Sequence, residues 1–123
     1  MKKILIVDDQ QGIRLLLNEI FKKEGYETYL AANGLEAIHF IENIVMDCVL
    51  LDMKIPGMNG IEILQRIQEL GQNMPIIMMT AYGEVKLVEQ AKTLGATHYF
   101  TKPFDIFEMK NTVNNLLVDH SEL

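Results

Sequence analysis

Three stretches of the chain are apolar without interruption: Ile4-Leu5-Ile6-Val7, Cys48-Val49-Leu50-Leu51 and Ile76-Ile77-Met78-Met79. Successive residues of a strand point to opposite faces, so a strand wetted on one side alternates, and an unbroken apolar run needs cover on both. Such runs are the inner strands of a parallel sheet with helices on each side. Each ends at a polar residue, respectively Asp8, Asp52 and Thr80. Residues 27–31 and 97–101 mix Thr, Tyr and His with apolar residues, as edge strands can.

Helical patterns separate the runs. Ile13, Leu16, Leu17, Ile20 and Phe21 form one apolar stripe, closed by Lys22, Lys23 and Gly25. Asn59 with Glu62, and Asp105 with Glu108, have capping-box spacing before Ile63, Leu64, Ile67, Leu70 and before Ile106, Met109, Val113, Leu116, Leu117. Weaker stripes run through Leu35, Ile38, Ile41 and through Val85, Val88, Ala91. Five strands alternating with five helices predict a doubly wound α/β fold with right-handed crossovers. With the three apolar runs inside and the mixed stretches at the edges, the order is 2-1-3-4-5. It reverses between strands 1 and 3, and ligands of open α/β sheets bind at the carboxyl ends of the strands beside such a reversal. Asp8, Asp9 and Asp52 fall there.

At 123 residues the chain fits one domain, read as spanning 1–123 and complete by about Val118, with no output domain attached. Eleven Lys and Arg against 17 Asp and Glu give a formal charge of -6, which disfavours a nucleic-acid partner. The single Cys48 cannot form an internal disulfide. No apolar stretch approaches the roughly 18 residues of a membrane span or the apolar core of a secretory signal, so a cytoplasmic protein with no membrane partner is expected.

Carboxylates converging at one sheet edge repel one another unless a cation sits among them or some are protonated. A divalent metal is the simpler answer, and oxygen ligands with open positions suit Mg²⁺. The three histidines share no zinc-site spacing. Thr80 after strand 4 and Lys102 after strand 5 add a hydroxyl and an ammonium. This set suits a phosphoryl group: Asp52 can attack phosphorus while Lys102, Thr80 and the metal offset charge on the equatorial oxygens.

Asp8-Asp9, Asp52, Thr80 and Lys102-Pro103, each at the end of the right strand, resemble the receiver domain of two-component response regulators over essentially the whole chain. Similar stretches are Ile4 to Arg14, Leu50 to Leu64, Met79 to Glu84 and Lys102 to Asp105. The resemblance implies a flavodoxin-like receiver with Asp52 as phosphoacceptor. It also implies Mg²⁺ held by Asp9, Asp52 and the Lys54 carbonyl, with Asp8 assisting through water. Thr80 and Lys102 would read the phosphoryl group, Tyr99 would be the aromatic switch, and Lys102-Pro103 would be cis. Gln11, Gly12, Ile13, Leu16, Tyr82, Pro103 and Phe104 would meet partners. Those partners would be a histidine kinase, a histidine phosphotransferase and an aspartyl-phosphate phosphatase.

The expected role is a stand-alone regulator in a sporulation-type phosphorelay, self-phosphorylating with Mg²⁺ and slow to lose the group, rather than a conventional turnover enzyme. Lys54 and Tyr82 lie where they could crowd an attacking water. The main rival is a chemotaxis-like regulator that binds a target when phosphorylated. A Mg²⁺-dependent phosphohydrolase is disfavoured because Lys54 stands where such enzymes commonly carry a second Asp. A flavin site is disfavoured by Asp8 and Asp9, which would repel the flavin phosphate.

Overall fold

The structure is a computed structural model that describes residues 1–81 and 83–118. Expectations that rest on Tyr82 or on residues 119–123 lie outside the described residues. The elements are β1 (Lys3–Val7), α1 (Gln11–Lys23), β2 (Glu27–Ala31), α2 (Gly34–Asn43), β3 (Cys48–Asp52), α3 (Gly60–Glu69), β4 (Ile76–Thr80), α4 (Val85–Thr93), β5 (His98–Thr101) and α5 (Ile106–Leu116). All neighbouring strands are parallel, in the order β2-β1-β3-β4-β5. The doubly wound fold read from the sequence is the fold observed.

The unbroken apolar runs divide by parity, as the pleat requires. Leu5, Val7, Val49, Leu51, Ile76 and Met78 face α2, α3 and α4 and join Ala37, Ile41, Ile63, Leu64 and Ala91 in one core. Ile4, Ile6, Cys48, Leu50, Ile77 and Met79 face the other way, onto Leu17 and Phe21 of α1 and Met109 and Val113 of α5. Burial pushes the Cys48 thiol up to about 12, so it offers no thiolate.

The N-cap side chain of each predicted capping box accepts from the first turn of its helix. Asn59 Oδ1 accepts from the Glu62 N–H at 3.1 Å, and Asp105 Oδ1 accepts from Phe107 and Glu108 at 2.8 and 3.3 Å. Asn33 caps α2 in the same way, accepting from Glu36 N–H at 2.9 Å, a start that the weak apolar stripe there did not mark.

Four stripe assignments need correction. Leu16 is 44% exposed, Leu35 76%, Val85 65%, and Leu70, the C-cap of α3, 36%. Each was placed on a buried face by its spacing alone. Leu35 and Val85 lie in the first turns of α2 and α4, ahead of the buried Ala37 and Ala91. Leu16 sits beside the buried Leu17 but one position round α1, and Leu15 is exposed with it. β5 begins at His98, one residue later than expected, and is mostly exposed, as an edge strand should be.

Candidate phosphoacceptor site

Strand register brings the polar residues to one edge. Val7 pairs with Leu51, so Asp8 and Asp52, the next residue of each strand, lie side by side. Asp52 pairs with Met79, which puts Thr80 one step further along, and Thr80 pairs with Thr101, just before Lys102. Asp8, Asp9 and Asp52 each place a carboxylate oxygen within 4.8 Å of the others. Asp8 is fully buried, Asp52 and Thr80 nearly so, and Asp9 is exposed.

Every oxygen of the two buried carboxylates has a donor. Asp8 Oδ1 accepts from the Gln10 N–H at 2.9 Å and Oδ2 from Lys102 Nζ at 2.9 Å. Asp52 Oδ1 accepts from the Lys54 N–H at 3.1 Å and Oδ2 from Lys102 Nζ at 3.2 Å. Lys102 therefore bridges the two carboxylates. The chain itself thus supplies one of the cations that the converging carboxylates call for.

Burial raises the Asp52 carboxyl above the ordinary range. The Lys54 N–H opposes the shift, the Asp8 charge adds to it, and Lys102 opposes it again. For Lys102, burial lowers the ammonium, but the bond to Asp8 and the charges of Asp52 and Asp8 outweigh it and hold the group above its usual value.

Three carboxylates and one ammonium leave an excess of two formal negative charges. The donors are hard oxygens at one solvent-facing edge, and such a set fits a hard divalent cation. Asp8, Asp9 and Asp52 are the side chains that could hold Mg²⁺.

Two glycines shape the β3–α3 loop, residues 53–59. Gly57, at φ +84, makes the turn after Pro56. Gly60 opens α3 without a positive φ and is needed for space. A Cβ there would lie 2.8 Å from Met53 Cα and 2.6 Å from its Sδ. The Lys102-Pro103 bond is cis.

Beside the acidic edge is a groove of about 460 Å³ lined by Gln10, Ile13 and Leu16 from the α1 side and Lys102, Pro103, Phe104 and Ile106 from the other. Ile13 and Phe104 are half-buried and Pro103 is exposed. Gln11 and Gly12 are exposed on the first turn of α1 but do not line this groove; Gln10 does.

Tyr99 is 48% exposed, with Lys92 Nζ 4.9 Å from its ring centroid, and shares a cavity of about 320 Å³ with Thr80. Two contacts escaped the sequence reading. Arg14 donates to the Asp8 carbonyl at 2.7 Å, and Lys54 pairs with Glu84 at 3.3 Å. Neither joins residues at a spacing that any local pattern marks.

The fold is an open, doubly wound α/β domain with an acidic edge, and residues 4–114 match the response regulator receiver domain. The chain belongs to that family. It is 56% identical to sporulation initiation phosphotransferase F of Bacillus subtilis, over 94% of each chain. It is 34% identical to the chemotaxis protein CheY of Thermotoga maritima, over 94% of this chain and 97% of that one. Among solved structures it is similar to a CheY-like response regulator receiver domain protein from Methanospirillum hungatei, with a TM-score of 0.89 and 33% identity over 94% of this chain and 92% of the other. No helix among the described residues is long and apolar enough to cross a membrane.

Proposed function

We propose that this receiver domain takes a phosphoryl group from a histidine kinase onto Asp52 and passes it to a histidine phosphotransferase in a sporulation-type phosphorelay. The observation that carries the reading is the Asp8–Lys102–Asp52 bridge at the carboxyl end of the central strand, where an acceptor carboxylate lies against a fixed cation.

An Asp52 oxygen attacks the phosphorus of a phosphohistidine. The N–P bond breaks, the imidazole takes the electron pair, and an acyl phosphate remains on Asp52. Lys102 is already in place to offset charge on the transferred group. Thr80, one residue further along the neighbouring strand, offers its hydroxyl to an equatorial oxygen. Mg²⁺ held by Asp8, Asp9, Asp52 and the Lys54 carbonyl would supply further neutralisation of that charge.

The groove beside the site supports the relay. Ile13 and Leu16 face Pro103 and Phe104 across an apolar channel that ends at Lys102, so a helix bearing the donor histidine can dock with its imidazole near Asp52. The relationship to a phosphotransferase of sporulation initiation points the same way. An aspartyl-phosphate phosphatase would reach the site over the same lip. The second reading, a chemotaxis-like output, draws on Tyr99: an inward turn of its exposed ring into the cavity shared with Thr80 would reshape the α4–β5 face on phosphorylation.

Acetyl phosphate labelling tests the acceptor. Label should depend on Mg²⁺ and vanish in Asp52→Asn. In the transfer assay, Ile13→Ala should label normally yet pass phosphate to the phosphotransferase about tenfold more slowly, the loss of roughly 1.4 kcal/mol of apolar contact. Normal transfer by Ile13→Ala together with loss of target binding in Tyr99→Ala would favour the chemotaxis-like reading instead.

A further inference from the structure

We propose that Glu84 is a positioning residue that ties the Lys54 ammonium across the mouth of the Asp52 site and thereby lengthens the life of the acyl phosphate. The inference rests on the phosphoacceptor reading of Asp52 and concerns how that site is shielded.

Lys54 is fixed at one end. Its backbone N–H binds Asp52 Oδ1, so the β3–α3 loop is pinned to the acceptor itself. Its side chain is 72% exposed, and left alone a lysine stem samples many rotamers at little cost. Glu84 removes that freedom. It stands in the residues 81–84 between β4 and α4, four positions after Thr80, with a side chain only 11% exposed and Oε1 3.3 Å from Lys54 Nζ.

A carboxylate so enclosed cannot be left without a cation cheaply. Among the described residues Lys54 is the one cation paired with it, and its Oε2 is buried without a hydrogen-bond partner there. Lys54 is therefore held by Glu84 even when phosphate on Asp52 competes for it. The resulting strap joins the β3–α3 loop that follows Asp52 to the loop that follows Thr80, and so spans the flank between those two residues.

Hydrolysis needs a water to reach phosphorus from outside that grip. The water oxygen bonds to phosphorus, the bond from phosphorus to the Asp52 oxygen breaks, the carboxylate keeps the electron pair, and both water protons leave with inorganic phosphate. A strap anchored on both loops narrows that approach. An untethered Lys54 would leave it open for part of the time.

The test is a double-mutant cycle on the intact chain: Glu84→Gln, Lys54→Met and both together. Each variant is labelled with acetyl phosphate at saturating Mg²⁺, freed of reagent, and followed by loss of label, with a thermal melt alongside. Glu84→Gln keeps the shape and removes the charge, and should shorten the half-life about threefold, the worth of one partly exposed ion pair. Lys54→Met should do the same, and the double variant should be no faster than either single one. A wild-type half-life in Glu84→Gln would overturn the proposal, as would an undiminished Glu84→Gln effect in the Lys54→Met background. A changed melting temperature with unchanged half-life would also overturn it, leaving Glu84 a merely structural role. Failure of the wild type to take label at all would instead overturn the phosphoacceptor reading beneath it.

Discussion

Replacing Lys102 by Met tests the site at its most exacting point, because the long side chain is kept and only the charge is lost. In the wild type, Nζ lies 2.9 Å from Asp8 Oδ2 and 3.2 Å from Asp52 Oδ2. At an effective dielectric constant of about 20, each contact attracts by roughly 5 kcal/mol, much of it cancelled by desolvation of the three groups. Removing one partner of a buried cluster typically costs about 3–5 kcal/mol. Lys102 keeps 23% of its side chain in solvent, which lowers the expectation to about 2–3 kcal/mol. For a chain of this size that is roughly a 10 °C drop in melting temperature at pH 7 in chelator.

The pH dependence has a definite sign. Asp52 is raised in the folded state, so the folded protein binds the extra proton and stability falls as pH rises from the unfolded carboxyl value of about 3.9 through the folded one. Without Lys102 that penalty grows. The variant should therefore approach the wild type below pH 4 and diverge from it toward neutrality. Lys102 is raised as well, so its own contribution is complete below about pH 10.4 and is lost only as pH climbs through its folded value. Urea unfolding at pH 4 and 7 measures the carboxyl part, and at pH 9 the Lys102 contribution should still be complete. A variant within 0.5 kcal/mol of wild type at pH 7 (on the order of the scatter for surface changes), or a deficit that does not shrink in acid, would refute the bridge.

Two further outcomes follow from the geometry. Gly60→Ala should destabilise by about 1–3 kcal/mol in chemical denaturation, since its Cβ would sit against the Met53 backbone, whereas Gly12→Ala, which meets nothing within 4 Å, should not. Saturating Mg²⁺ should raise the melting temperature of the wild type, with roughly 2.7 kcal/mol gained at a hundredfold excess over the dissociation constant. Asp9→Asn should need more Mg²⁺ for the same rise; an unchanged Mg²⁺ titration would remove Asp9 from the ligand set.

Much of this architecture was legible because burial on both faces leaves an uninterrupted signal. The runs at Ile4, Cys48 and Ile76 could only be covered strands, and their parity then divided the two cores. The ends of those strands named Asp8, Asp52 and Thr80 without any knowledge of register. Helix faces were less legible. A 3.6-residue period fixes a stripe but not its edge, so the spacing places Leu16, Leu35, Leu70 and Val85 inward although they lie outward. Leu16 is instructive, since its exposure fits the docking role that its place in a buried stripe contradicted. The space needed at Gly60 was illegible for another reason: it depends on Met53 folding back over the start of α3, a contact made by a loop with no period.

The least legible feature was the balance of charge. Sequence places carboxylates at one edge and a lysine after the last strand, but it cannot say whether that lysine points to solvent or lies between them. The distinction decides the chemistry. Had the site held carboxylates alone, a metal would be needed simply to fold it, and the unloaded protein would be a poor acceptor. With Lys102 bridging Asp8 and Asp52, the buried pair is held together before any metal or phosphate arrives. The two negative charges that remain leave room for a divalent ion. In the proposed transfer the same ammonium that steadies the resting carboxylates would stand beside the incoming phosphoryl group, so a single side chain would link the stability of the site to its capacity to accept phosphate.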